Sequence, residues 1–235
     1  MPRVAVEVAE ELRFLLPRRH RTGAIELDVP STETVGHVVQ SDLGIPLCEA
    51  EPLLDGGPVD PRARLDRDAR LTVRERPRPQ PLRAGFLLDV HLGALARRLR
   101  LLGLDAAYSP DADDPELAAR SGAEQRVLLT RDRALLFRGA LADGALVRAD
   151  GVDDQLAEVL DRFAPPLAPW TRCLRCGGPL AGASAAEVAP LLEPGTRRTY
   201  TEFSRCERCW RVYWRGAHGR RLEAIVDRAE RRMTR

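Results

Sequence analysis

The sequence predicts an α/β chain of three units in series: a small strand-rich N-terminal unit, a central unit with a parallel sheet, and a short metal-bound C-terminal ribbon. Three observations predict it. Between residues 85 and 163, short apolar runs alternate four times with helical patterns; prolines at 77, 79 and 81 separate that region from the first 75 residues; and two Cys-x-x-Cys pairs occupy the last third. At 235 residues, with 44% hydrophobic and 31% charged residues, the chain can bury cores but exceeds the usual size of one domain.

The N-terminal unit, 1–76, reads as strands at 4–8 and 24–29, a helix over 34–43 and returning strands at 52–54 and 71–74. Ser31 is the expected helix cap and Gly44 the stop. Two strands, a helix and short returning strands resemble the ubiquitin-like β-grasp, including its sulfur-carrier relatives. Carriers need a free Gly-Gly terminus, whereas this segment runs into RERPRPQP, so a built-in binding or positioning module is expected, with a protein as its candidate partner. Residues 77–84 read as a stiff Pro-rich linker. Cys48, in LGIPLCEAE, reads as a small buried apolar residue.

The central unit, 85–168, has apolar runs at 86–88, 106–108, 127–130 and 145–147, and helical patterns at 91–102, 115–121, 132–138 and 152–162. In the first helix Leu92, Leu95, Ala96, Leu99 and Leu102 form one apolar face. Alternating strands and helices give a parallel sheet covered on both sides, with its functional crevice beyond the carboxyl ends of the strands. Acids fall there: Asp89 after the first run, Asp111, Asp113 and Asp114 after the second, Asp132 after the third, Asp150 and Asp153 after the fourth. Each alone fits a helix cap, and Asp114 before Pro115 suits that role. As a set they repel one another unless a cation neutralises them, and hard oxygen donors favour Mg²⁺ or Mn²⁺. Such ions orient water for attack on a phosphodiester, which points to a nuclease. His91 reads as solvated or packed in the first helical turn.

Cys173 and Cys176, then Cys206 and Cys209, have the two-knuckle spacing of a zinc ribbon, and four thiolates make a closed structural Zn²⁺ site. Divided at residues 80 and 168, the net charge of +2 separates into −2, −3 and +7. The positive tail, 169–235, holds Arg172, Arg175, Arg205, Arg208, Arg211 and Arg215 around the cysteines, and Trp170, Trp210 and Trp214 with Tyr200, Phe203 and Tyr213. Arginine for phosphate and aromatic faces for bases compose an RNA-binding surface. The alternative is that Trp210 and Tyr213 pack the ribbon while Arg228, Arg231, Arg232 and Arg235 form a solvated helix end.

No apolar run approaches the roughly 18 residues of a membrane helix. The start, MPRVAVEVAEELRF, turns acidic where an export signal needs an apolar core, so a cytoplasmic protein is expected. Neither nucleotide-binding glycine motif occurs, nor a G-x-S-x-G elbow.

FLLDVHLGALARRLRLLG, DADDPEL, LLTRDRALL and the paired CxxC segments ending in CWRVYWRGAH together resemble the ribonuclease domain family named after the C-terminal region of the Mut-seven exonuclease. The resemblance covers nearly the whole chain. It implies a central PIN-like parallel-sheet α/β domain between an N-terminal ubiquitin-like β-grasp and a C-terminal zinc ribbon. It implies an RNase dependent on Mg²⁺ or Mn²⁺, with Asp89, Asp114 and Asp132 at the acidic motifs. Arg97 would contact phosphate or orient an acid, and a fourth acid would come from Asp111, Glu116, Asp150 or Asp153. The competing reading is a non-catalytic RNA-binding adaptor with the same three parts.

Overall fold

The computed structural model describes residues 1–216 and 219–234. The last two residues of the CWRVYWRGAH motif, Ala217 and His218, and the final Arg235 of the basic tail lie outside the described residues. The chain forms two compact units: Met1–Arg78 with Asp132–Gly139 and Gly144–Leu146, and Pro79–Arg131 with Ala140–Asp143 and Val147–Arg235.

In the first unit, β1 (Arg3–Val8), β2 (Ile25–Asp28), β3 (Ala50–Leu54), β4 (Gly57–Pro58) and β5 (Ala69–Glu75) make one sheet in the order β2-β1-β5-β3-β4. β1 lies parallel to β5 and antiparallel to β2, the ubiquitin-like arrangement. Strict alternation along RVAVEV puts Val4, Val6 and Val8 into the core, beneath the helical segment. That segment is shorter and more irregular than the periodicity predicts. α1 (Val35–His37) passes into a π-helical stretch, Val38–Asp42, which buries Val38 and Val39. Its cap is Thr34, accepting the His37 N–H at 3.2 Å, rather than Ser31. Cys48 is half-buried rather than buried.

The second unit contains β6 (Phe86–Leu88), α2 (Gly93–Leu101), β7 (Ala106–Tyr108), α3 (Asp114–Glu124), β8 (Val127–Thr130), β9 (Asp143–Leu146, shared with the first unit) and α4 (Val152–Phe163). The sheet order is β7-β6-β8-β9, with β6 parallel to both of its neighbours, β7 and β8. FLL and VLLT are buried throughout, as strands covered on both faces must be. The five apolar residues expected to face inward from the first helix, Leu92 to Leu102, are all buried. The helix expected at 132–138 is a 3₁₀ turn, Ala134–Phe137.

The ribbon belongs to this same unit: β10 (Leu180–Ala183), α5 (Ala185–Val188), α6 (Pro194–Thr199), β11 (Phe203–Cys206), β12 (Val212–Tyr213) and α7 (Gly219–Met233). Its three strands form an antiparallel sheet over Val188, Leu192 and Phe203, a core too small to carry much stability by itself. The stretch expected as linker is held at Gln80, whose buried side chain accepts Arg162 Nε at 2.9 Å. Among the described residues no helix is long and apolar enough to cross a membrane.

Candidate functional site

Asp89 ends β6 and starts the turn into α2. Its Oδ1 accepts the His91 N–H at 2.8 Å; its Oδ2 accepts the Arg131 N–H at 3.0 Å and the Thr130 hydroxyl. This meeting follows from register. Leu88 pairs with Leu129 in the parallel ladder, so Asp89 comes level with Thr130, the last residue of β8. Asp89 is 3% exposed, and these three donors are neutral dipoles with no cationic side chain among them.

The second acidic motif is arranged differently from the expected cap. Asp113 caps α3, its Oδ1 accepting the Glu116 N–H at 2.8 Å, and the helix therefore begins at Asp114 with Pro115 next. Asp114 is thus the first residue of the helix and not its cap, while Asp111 and Glu116 are exposed. Asp132, two residues beyond β8, accepts the Ala134 N–H at 2.8 Å. Of the other acids, Asp150 pairs with Arg131 at 2.6 Å, and Asp153 bridges Arg98 at 3.3 Å and Arg228 at 3.0 Å. Among the described residues, no three carboxylates stand within mutual metal-binding reach. His91 is exposed and contributes its backbone N–H to Asp89.

Beside this turn the second unit has a cavity of about 370 Å³, lined by Gly93, Arg97, Arg100, Tyr108, Arg175 and Arg211 among others. Tyr108 donates its hydroxyl to the carbonyl of Val90, the residue after Asp89, at 3.1 Å. Its ring fits because position 93 is glycine: a Cβ there would come within 2.7 Å of the hydroxyl. Arg97 is exposed at the rim. Arg100 is buried, donating to the carbonyls of Ala106 (2.8 Å), Leu174 (3.2 Å) and Arg175 (2.7 Å). Burial lowers its pKa, while the Cys176 and Cys173 sulfurs favour its charge.

Those sulfurs belong to the cluster the spacing predicts. The ligand atoms of Cys173, Cys176, Cys206 and Cys209 all lie within 4.8 Å of one another, with Cys173 Sγ 3.6 Å from Cys209 Sγ and Cys176 Sγ 3.5 Å from Cys206 Sγ. These separations are too long for disulfides and close to the ~3.8 Å between sulfurs on a tetrahedron of ~2.3 Å Zn–S bonds. The cluster is consistent with a structural Zn²⁺. The thiols resist sharing charge without a cation. Burial works to raise Cys173, but the Tyr213 hydroxyl and nearby backbone N–H groups bring it down to about 6; burial and the neighbouring thiols push Cys176 up to about 12.

Residues 84–226 match the family described as the Mut7-C RNAse domain, and residues 1–82 match the one described as Mut7-C ubiquitin. The chain belongs to the Mut7-C RNase domain family. Membership implies a ribonuclease, and therefore an RNA substrate. No curated protein and no solved structure matches the chain.

The basic tail of this Mut7-C chain is partly neutralised within the unit. Arg232 forms a double hydrogen bond to Asp161 at 2.5 Å, and Arg228 pairs with Asp153, so these arginines, though exposed, tie α7 to α4. The tryptophans also separate. Trp170 is half-buried under Arg215 and donates its backbone N–H to Leu101, whereas Trp210 is 61% exposed, with the Arg205 guanidinium 5.0 Å from its ring centroid. Three contributors had no clear signature in the sequence. Thr130 and Tyr108 read as strand ends, and Arg100 was visible only as a charged residue interrupting an apolar stretch.

Proposed function

We propose that this Mut7-C chain hydrolyses RNA phosphodiester bonds using Mg²⁺ or Mn²⁺ bound through Asp89, Asp114 and Asp132. The observation that carries this reading is Asp89, a buried carboxylate at the carboxyl end of an inner parallel strand, fixed by neutral donors. The donor set suits a hard, hydrated cation. The matching residues are all carboxylates; Asp89 Oδ1, while receiving the His91 N–H, retains lone-pair capacity; and Mg²⁺ sites commonly use few carboxylates together with waters and substrate phosphate. When bound, the cation would activate water and stabilise the departing oxygen.

The chain's own groups do the rest. Thr130 and the Arg131 N–H hold Asp89 in one orientation, and Tyr108 fixes the turn after it. Arg97, with Arg175 and Arg211 across the same cavity, draws in the phosphate backbone. The zinc ribbon keeps that basic wall in place, and the ubiquitin-like unit serves to bind a protein partner. A non-catalytic adaptor is favoured by one observation, the absence of three gathered carboxylates among the described residues.

Purified protein with Mn²⁺ and a panel of structured and single-stranded RNAs separates the two. Cleavage that requires the divalent ion and disappears in the Asp89→Asn/Asp132→Asn double variant is expected. Intact RNA across the panel, with binding retained, would establish the adaptor.

A further inference from the structure

The two zinc knuckles are built on one backbone plan and contrast at its left-handed position. In the first, the Cys173 N–H bonds to the Gly178 carbonyl at 2.8 Å and the Gly177 N–H to the Cys173 carbonyl at 2.8 Å. In the second, the Cys206 N–H bonds to the Arg211 carbonyl at 2.9 Å and the Trp210 N–H to the Cys206 carbonyl at 3.0 Å. Gly177 and Trp210 therefore occupy equivalent places, each with a left-handed backbone, φ +73° and +62°. That conformation suits glycine and is unfavourable for a large side chain.

Nothing in the ribbon's packing explains the exception. At 61% exposure Trp210 stands outside the core of Val188, Leu192 and Phe203. Trp214 differs in facing a cavity lined by Leu101, Phe203 and Leu222. Strained backbone conformations that persist at the surface tend to mark functional positions. The surroundings indicate the ligand. Arg205 lies 5.0 Å from the Trp210 ring centroid, and Arg208 and Arg211, both exposed, flank it in sequence. A flat aromatic face bordered by guanidinium groups matches a polyanion carrying flat, unpaired rings.

We propose that Trp210, backed by Arg205, is a stacking platform for an unpaired base of single-stranded RNA, so that the second knuckle is a binding subsite as well as a metal clip. This rests on the ribonuclease reading for the identity of the polymer. Duplex RNA, whose bases are already stacked, gains nothing from the platform. A protein partner would be expected to use Trp210 as an apolar anchor, with no preference between RNA forms.

The test is Trp210→Gly in the full chain, because glycine suits the backbone there and should not impair folding. The variant should keep one equivalent of zinc and melt within about 4 °C of the parent. Without added Mg²⁺ or Mn²⁺, its affinity for a single-stranded oligonucleotide should fall about five- to hundredfold, with Trp210→Phe recovering much of the loss. Duplex binding should be unchanged. Unaltered single-strand affinity, an equal loss on duplex, or loss of zinc or fold in Trp210→Gly would each overturn the platform. The first of these, with Mn²⁺-dependent cleavage intact, would leave the nuclease standing, whereas a parent that binds no RNA at all would remove both.

Discussion

In the proposed metal role, Asp89 depends on neighbours that fix its carboxylate without supplying a counter-charge. Thr130, fully buried, presents a hydroxyl to Oδ2. Thr130→Val keeps the shape of the side chain and removes the donor. It should raise the Mn²⁺ concentration needed for half-maximal cleavage by about 10- to 100-fold, while activity at saturating metal largely returns. Stability should fall by about 1–3 kcal/mol for the underserved carboxylate, measured by urea unfolding. An unchanged metal titration would show that Thr130 supports only the fold. Asp89 was legible in the sequence because it directly follows an apolar run. Thr130 was not, because the pairing of β6 with β8 depends on tertiary register. The acids of DADD were legible as a group, but one residue of helix start decides which is occupied as a cap, and Pro115 is compatible with either position.

Among the elements, α2 links the two halves of the second unit. Its apolar face was readable from three- and four-residue spacing, and all five residues face the core. Arg100 interrupts that face and reaches three carbonyls, one in β7 and two in the first knuckle. Arg100→Met keeps the aliphatic stem and strands those acceptors. A loss of about 2–4 kcal/mol and faster zinc release to a coloured chelator are expected. Release at the parental rate would mean that the knuckle stands independently of α2. The α7 helix shows the opposite limit of sequence reading. Its arginines look like a free basic tail, yet Arg228 and Arg232 meet acids 75 and 71 residues away. Local periodicity carries no information about such distant partners. The helix over 34–43 was likewise found in the right place, but tertiary packing turned most of it π-helical.

Across the molecule, the +2 net charge conceals a positive C-terminal third, part of which is used internally against α4. The positive charge left for the proposed RNA contact is therefore less than composition indicates. If the four-sulfur cluster holds Zn²⁺, the small ribbon core means that the second unit would depend on metal for part of its structure. Stripping zinc should abolish amide protection in β10, β11 and β12 while leaving the β1–β5 sheet protected, as followed by hydrogen exchange.

Because Arg100 joins the knuckle to Ala106, the first residue of the strand that carries Tyr108, zinc occupancy would have a consequence beyond the ribbon. Metal bound to the folded form alone contributes stability through mass action, about 1.4 kcal/mol for each tenfold rise in free zinc above its dissociation constant. The melting temperature of the second unit should therefore climb with the logarithm of buffered zinc. If the link through Arg100 transmits it, the acid-bearing end of the sheet would be steadied by how much zinc its surroundings supply.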